Sequence, residues 1–428
     1  MSSDVNDLPP AATRDACLAM DERDTLAAHR EAFSIPPGLI YLDGNSLGPL
    51  PVATRRRLRE VVDDEWGRGL IASWNSAGWI DAPARVGDKI ARLIGAAPGQ
   101  VVAADSTSIN LYKVLSAALK LRPDRRVIVS ERGNFPTDLY IAQGLIAQLD
   151  AGHTLRLVER DALDGAIDDS VAAVMLTQVD YRTGHRLPMA SVTARAHAAG
   201  ALMIWDLAHS AGAFPVALDD AHADFAIGCS YKYLNGGPGA TAFLYVAARH
   251  QQSFLQPLTG WLGHAAPFAF ETGYRPADGI GRALCGTPPI LSLSAAECGV
   301  DTLLATLPDG GLAALHAKAC SLIDVFVSVA LAGGARHGLR CVTPAAPADR
   351  GSQASFVLPD GDQAHAVVQA LIAEGVVGDF RAPDILRFGF APLYLRHVDA
   401  YDAATRLVDI LETGRWREPR FLARKAVT

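Results

Sequence analysis

Lysine is scarce in this sequence. Only Lys89, Lys113, Lys120, Lys232, Lys318 and Lys425 occur among 428 residues, and arginine supplies the remaining positive charge. Any chemistry that needs a primary amine therefore has few candidates. Positive charge is also short overall, 39 Lys and Arg against 46 Asp and Glu, for a net charge of -7. That balance offers no basic footprint for nucleic acid or an anionic membrane. The six cysteines (Cys17, Cys229, Cys285, Cys298, Cys320, Cys341) are scattered, without CxxC or finger spacing. No metal is expected, and reduced, mostly buried thiols in a cytoplasmic protein are. No apolar run reaches about 18 residues, so no membrane span is expected. The N-terminus is acidic and polar, unlike a signal segment. Internal repeats and low-complexity tracts are absent as well.

What the chain does have is apolar bulk, 50% of its residues, and a length that favours two domains. After Pro9-Pro10 and a loose arm, Gly44, Gly48 and Pro49 mark a turn-rich loop. A helix is predicted from about 52 to 66, and an irregular stretch with Trp66, Trp74 and Trp79 follows over 67–81. Helices are then predicted at 83–93, 109–121, 136–148 and 190–199. They alternate with strands at 101–104, 126–129, 154–158, 171–177, 201–205, 225–229 and 241–246. Short apolar runs between helices indicate a mostly parallel α/β sheet covered on both faces. Two helices (to about 305, then 312–331) lead into strand 354–358, helix 363–374, strand 385–388 and helix 398–412, a smaller α+β unit. The expected division is 1–80 as arm and part of the small domain, 81–310 as the large domain and 311–428 as the small domain.

Ligands of such sheets sit at the carboxyl ends of the strands, and there the polar clusters fall. Asp206-Leu207-Ala208-His209 closes one strand. Ser230-Tyr231-Lys232-Tyr233-Leu234-Asn235-Gly236-Gly237-Pro238-Gly239 closes another. A carboxylate and a lysine so placed are what a pyridoxal phosphate enzyme needs: the amine holds the cofactor as a Schiff base, and the acid keeps the pyridine nitrogen protonated. Ser106-Thr107-Ser108, before a helix, suits either a plain N-cap or a phosphate cradle. Phe135-Pro136-Thr137-Asp138 reads both as a helix start and as an aromatic platform with polar neighbours. Tyr231 suits either packing or proton donation. Arg387, at a small-domain strand end, is structural or clamps a carboxylate by two-point contact.

These segments resemble kynureninase. The resemblance rests on them together with Asp43-Gly44-Asn45-Ser46-Leu47-Gly48, Gly260-Trp261-Leu262-Gly263-His264 and Thr287-Pro288-Pro289, and it spans about 38–415. It implies a fold-type-I pyridoxal phosphate enzyme, class V aminotransferase-like, that hydrolyses L-kynurenine to anthranilate and L-alanine. It further implies Lys232 as the cofactor's attachment, Asp206 at the pyridine nitrogen, and Thr107, Ser108 and Tyr231 at the phosphate. Phe135 would stack on the ring beside Pro136 and Thr137, with Asp138, Thr177 and His209 in contact with the cofactor. Arg387, Asn45 and Ser46 would bind substrate, the first at its carboxylate. Trp261 and Thr287 would reach the phosphate of a neighbouring protomer, so a homodimer with shared sites is expected. Thr287 also lies where preference for the 3-hydroxy substrate is decided. Tyr231 is the candidate acid for the last carbon.

Two rivals share parts of this pattern. An aminotransferase would use the same Asp206 and Lys232. A cysteine desulfurase needs an exposed late cysteine, and Cys341, in the apolar run Leu339-Arg340-Cys341-Val342, is the sole candidate. A cofactor-binding regulator would need a DNA-binding domain for which the chain has no spare length.

Overall fold

The computed structural model describes residues 11–423; the Pro9-Pro10 part of the expected arm lies outside them. The chain divides into two compact units. One comprises Ala53–Tyr181 with Arg186–Leu304, the other Met1–Val52 with Arg182–His185 and Ala305–Thr428.

The first unit is built on a seven-stranded sheet in the order Val101–Ala103, Phe243–Val246, Phe225–Gly228, Leu202–Asp206, Val171–Thr177, Val127–Glu131, Thr154–Val158. All neighbours are parallel except Phe243–Val246, which runs against both of its own. The continuous apolar runs explain the architecture: every residue of Val171–Thr177 and Leu202–Asp206 is buried, as strands sandwiched between helices must be. Helices Thr107–Leu121 and Pro136–Leu149 seal one such layer, where Leu111, Leu115, Ile128, Met175, Ile204 and Leu244 share a core.

Residues 53–80, expected with the arm, join this unit instead. Their polar contacts show why. Glu65 accepts from Arg57 and from the Trp79 indole, both at 2.6 Å, and Arg85 donates to the Gly78 carbonyl at 3.0 Å. The predicted helix over 52–66 changes character midway, from an α-helix at Val52–Glu60 to a wider π-helix at Val61–Trp66.

The second unit carries an antiparallel sheet in the order Arg340–Cys341, Gln353–Val357, Ile385–Gly389, Asp379–Arg381. Helices Gly311–Gly334 and His397–Thr413 pack on one another beside it. Phe326 meets Phe388 at 4.8 Å and Phe390 at 5.3 Å between ring centroids. The two-residue strand Val376–Val377 pairs in parallel with Ile40–Tyr41.

Ile290–Asp309 and Gly311–His337 are long and apolar enough, by length and composition, to cross a membrane. Each nevertheless spends charged groups on its own unit, as core helices do. Glu297 meets Arg85 at 3.0 Å and Lys89 at 2.9 Å, while Lys318 meets Asp24 at 2.7 Å with both side chains only 7% exposed.

Asp224 anchors the sheet's far side. Its carboxylate, 2% exposed, accepts from His197 (2.8 Å), His250 (2.7 Å), Arg249 (2.7 Å) and the Met203 amide (2.7 Å). Burial opposes ionisation, but the histidine hydrogen bonds win and hold this carboxyl well below the usual range. A depressed folded pKa contributes stability above the unfolded pKa and loses it as pH falls through the folded one. Asp224→Asn is therefore expected to cost about 3–5 kcal/mol at neutral pH. Denaturant unfolding of both proteins should show the gap level above about pH 5 and beginning to narrow as the buffer is taken below about pH 4.

Candidate cofactor and substrate-binding sites

The first unit gathers its polar groups at the carboxyl ends of adjacent strands. Thr177 and Asp206 are the last residues of neighbouring parallel strands and stand directly opposite one another in register. Asp138 joins them from the first turn of the helix Pro136–Leu149, whose Pro136 opens it. The Thr177 hydroxyl donates to Asn134 Oδ1 at 2.5 Å and lies 3.4 Å from Asp206 Oδ2 and 3.5 Å from Asp138 Oδ2. Asp206 is 4% exposed and Asp138 2%. Burial first, then the facing Asp206 charge, pushes the Asp138 carboxyl well up. Burial raises Asp206 too, against the pull of Lys232 and the Ala208 amide. Two carboxylates so buried need a proton or a cation beside them.

Lys232 supplies one amine there. Its Nζ is 3.0 Å from His209 Nε2 and 5.9 Å from the centroid of the Phe135 ring. Phe135 is 39% exposed, and Tyr181 meets it edge-on at 5.2 Å. Pro136, Thr137, Tyr231 and Lys232 are half-buried. Ser210 Oγ is buried with no hydrogen-bond partner among the described residues. An acid pair, an amine, an imidazole and an open aromatic face together suit a flat ring that carries a positive nitrogen and a reactive carbonyl.

Thr107 and Ser108 are the first residues of the helix Thr107–Leu121, and Ser106 caps it. Their backbone N–H groups face the positive end of the helix, where an anion is stabilised. Sequence reasoning started this helix two residues late and passed over Lys113 within it. Lys113 is fully buried, with Nζ 2.6 Å from Asp105 Oδ2 and 2.7 Å from the Ala283 carbonyl. Asp105 itself adopts a φ of 48°, uncommon for a residue with a side chain. The amine thus pins the turn before the helix. Trp261, 40% exposed, packs edge-on against Phe268, and Thr287 is exposed. Their two segments are tied together. A Cβ on Gly260 would meet the Cys285 carbonyl at 2.4 Å, and the Leu262 amide donates to that same oxygen at 3.2 Å.

In the second unit Arg387 is 1% exposed and stands opposite Asp379 across two antiparallel strands. Asp379 accepts from Arg387 Nε at 2.8 Å and also from Nη2. Ser46 Oγ donates to Asp379 Oδ2 and accepts from Arg387 Nη2 and Arg381 Nη2, each at 2.8 Å. Asn45 is fully buried, and neither atom of its amide has a hydrogen-bond partner among the described residues. It packs so closely that a Cβ on Gly389 would meet Asn45 Oδ1 at 2.1 Å. The sequence signalled Arg387, Asn45 and Ser46. It gave no sign of Asp379, which lies on a three-residue strand too short for periodicity, or of the role of Asn134, just before the Phe135 segment. Cys341 is half-buried, 3.7 Å from the Thr343 carbonyl, and burial pushes its thiol up, the opposite of a reactive thiolate.

Burial, and then the facing Asp379, pushes Asp43 up to about 7 from 3.8. Because the unfolded carboxyl ionises first, stability falls as pH rises between those two values and is level above. Asp43→Asn is thus expected to melt higher than the unsubstituted protein, by a margin that grows from about pH 5 to about pH 8 in thermal scans.

A parallel α/β sheet with an antiparallel insertion, and an acid–lysine pair at its carboxyl edge, defines the fold-type-I class of the pyridoxal phosphate enzymes. Solved structures agree on the fold. A cysteine desulfurase from Thermococcus onnurineus matches with a TM-score of 0.75 at 18% identity, over 90% of this chain and 98% of that one. One from Escherichia coli matches with a TM-score of 0.72 at 20% identity, over 91% and 98%. Within the class, residues 315–407 match the family model of the kynureninase C-terminal domain. Kynureninase of Burkholderia pseudomallei (strain 1106a) is 55% identical over 421 residues, 97% of this chain and 100% of the relative. That of Pseudomonas fluorescens is 52% identical over the same shares. The chain belongs to the kynureninase family.

Proposed function

We propose that the residues gathered above carry out the family's reaction: hydrolysis of the Cβ–Cγ bond of L-kynurenine to anthranilate and L-alanine, with pyridoxal phosphate as cofactor. The observation that carries the assignment of roles is the Lys232 amine, 3.0 Å from His209 and acting electrostatically on the buried Asp206–Asp138 pair. These groups fit the cofactor. The acid pair asks for a positive ring nitrogen, and the amine suits a covalent tie. When bound, the cofactor supplies an electron sink for the substrate's α-carbon.

The chain's own groups do the rest. Asp206 would hold the ring nitrogen, with Asp138 and Thr177 as its polar neighbours. Phe135 covers a ring face, flanked by Pro136 and Thr137. Thr107, Ser108 and Tyr231 hold the phosphate. Lys232 would hold the cofactor and, as a free amine, would move the Cα proton, with His209 beside its Nζ keeping that amine oriented. Tyr231 donates the proton that the departing alanine carbon requires. To Arg387 we assign the substrate's α-carboxylate, with Asn45 and Ser46 as further substrate contacts. The same roles serve 3-hydroxykynurenine, for which Thr287 tunes preference. Trp261 and Thr287 serve the partner's phosphate in a homodimer. The exposure of Trp261, and of the neighbouring Phe268 (61%) and Phe270 (79%), supports a surface that a second copy covers. The six free cysteines support a cytoplasmic setting, and neither a nucleic acid nor a membrane is a partner in this reading. The expected division at 80 and 310 is kept only in assigning the cofactor to the larger unit.

Borohydride reduction of the yellow holoenzyme, followed by peptide mapping, is expected to fix the cofactor on Lys232 alone; a label on another lysine would sink the assignment. In steady-state assays that follow anthranilate fluorescence and alanine together, Tyr231→Phe is expected to lower kcat by about 10²-fold. An unchanged rate of alanine formation would remove Tyr231 from the mechanism. Pyruvate or sulfide in place of those products would point to an aminotransferase or a desulfurase.

A further inference from the structure

Asn134 is 5% exposed and, among the described residues, hydrogen-bonds to neither Asp206 nor Asp138. Hydrogen-bond polarity nevertheless runs from it to both. The Phe135 backbone N–H, which can only donate, lies 2.6 Å from Asn134 Oδ1. That contact settles which end of the amide is the oxygen, since an NH2 group there would set donor against donor. The other end agrees. Nδ2 donates to Ser130 Oγ at 3.1 Å, and the Ser130 hydroxyl spends its own proton on the Met175 carbonyl at 2.7 Å. A carbonyl oxygen only accepts, so the Thr177 hydroxyl, 2.5 Å from the same Oδ1, must donate to it. A hydroxyl has one proton. Asp206 Oδ2 and Asp138 Oδ2, at 3.4 and 3.5 Å, lie beyond the ordinary O–H···O length, and Thr177 has no proton left for either.

The two acids are then unequal. Asp206 Oδ1 accepts from the Ala208 amide at 2.7 Å. Asp138 has no such amide: with the Thr177 proton spent, Asp206 is the hydrogen-bonding neighbour left to its side chain among the described residues. Two carboxyl groups can hydrogen-bond to one another only if one of them carries a proton. The other titratable groups facing the pair are Lys232, with His209 beside it, and the Cys229 thiol. One amine balances one carboxylate, and a second buried negative charge would go uncompensated.

We infer that Asn134 is a positioning residue: by taking the one proton of the Thr177 hydroxyl it leaves the acid pair to keep a proton of its own on Asp138, so that the pair carries a single negative charge, on Asp206. That this charge serves a cationic ring nitrogen rests on the reading of Asp206 given above. The place of the proton does not.

The test is infrared spectroscopy of the holoenzyme across pH, with aspartate isotopically labelled in its side-chain carboxyl so that aspartate bands are recognised by their shift. Asp43, pushed up to about 7, would add a band of its own, so every protein compared carries Asp43→Asn. A neutral aspartic carboxyl is expected to persist at about pH 8, far above the ordinary range. Asp138→Glu and Asp138→Asn should each abolish that labelled band, either variant sufficing if the other does not fold. Asn134→Ala frees the Thr177 proton for the acids, and the pH at which the band disappears should fall by about one unit or more. In a Thr177→Val background the same substitution should move it far less. Asn134→Leu, closer in volume, takes the place of the alanine variant if that one fails to fold. Absence of the band, or its survival in both Asp138 variants, overturns the proposal. A band that the Asn134 variants leave in place, or move equally with and without the Thr177 hydroxyl, overturns the role of Asn134. A band assigned to Asp138 together with a borohydride label on another lysine would sink the cofactor assignment and leave the proton where it is placed here.

Discussion

Two carboxylates, Asp206 and Asp138, are held out of water at the edge of one sheet, and most of the first unit's design answers that problem. A buried carboxylate without a counter-charge costs several kcal/mol, so the pair persists only with positive charge or protons at hand. Parallel register sets Thr177 opposite Asp206, and the Asn134 amide accepts the hydroxyl proton that fixes the threonine. Asp138 enters from a helix whose first residue is proline, a placement that also favours an acid in the first turn. Lys232 is the neighbouring cation. Two buried acids beside one amine make an environment that favours a cationic group over a neutral one.

The second unit meets the opposite requirement with the same means. Arg387 is buried to 1% and would be costly there alone. Asp379, directly across the strand pair, neutralises it and fixes its plane. The unpartnered amide of Asn45 and the bridging Ser46 hydroxyl surround it. In both units a charged side chain is fixed by a partner on the adjacent strand, so the register of a sheet becomes the alignment of a functional group.

Much of this was legible in the sequence, for physical reasons. Long apolar strands such as Val171–Thr177 announce themselves because both faces are buried, and the polar residues ending them stand out against that background. The Asp206 and Lys232 segments were found this way. What escaped was short or non-local. Asp379–Arg381 is three residues long, below the length at which alternation can be read. Lys113 looks like any helical lysine until the turn at Asp105 folds back over it. The change from α- to π-helix at Val61 falls in the turn where Glu65 finds partners as distant as Trp79. Residues 53–80 were placed with the wrong unit because composition carries no record of what they pack against.

The burial of Lys113 and Lys318 has a bearing on reagents as well as on folding. Among the described lysines these two are sealed, one by Asp105 and a carbonyl, the other by Asp24. Lys89 is engaged by two acids. An acylating or reductive probe applied to the native protein therefore meets few accessible amines, and Lys232 stands among them beside an imidazole. Lys120, which is exposed, is the competitor left among the described lysines, so a tag aimed at Lys232 gains selectivity once that one residue is replaced.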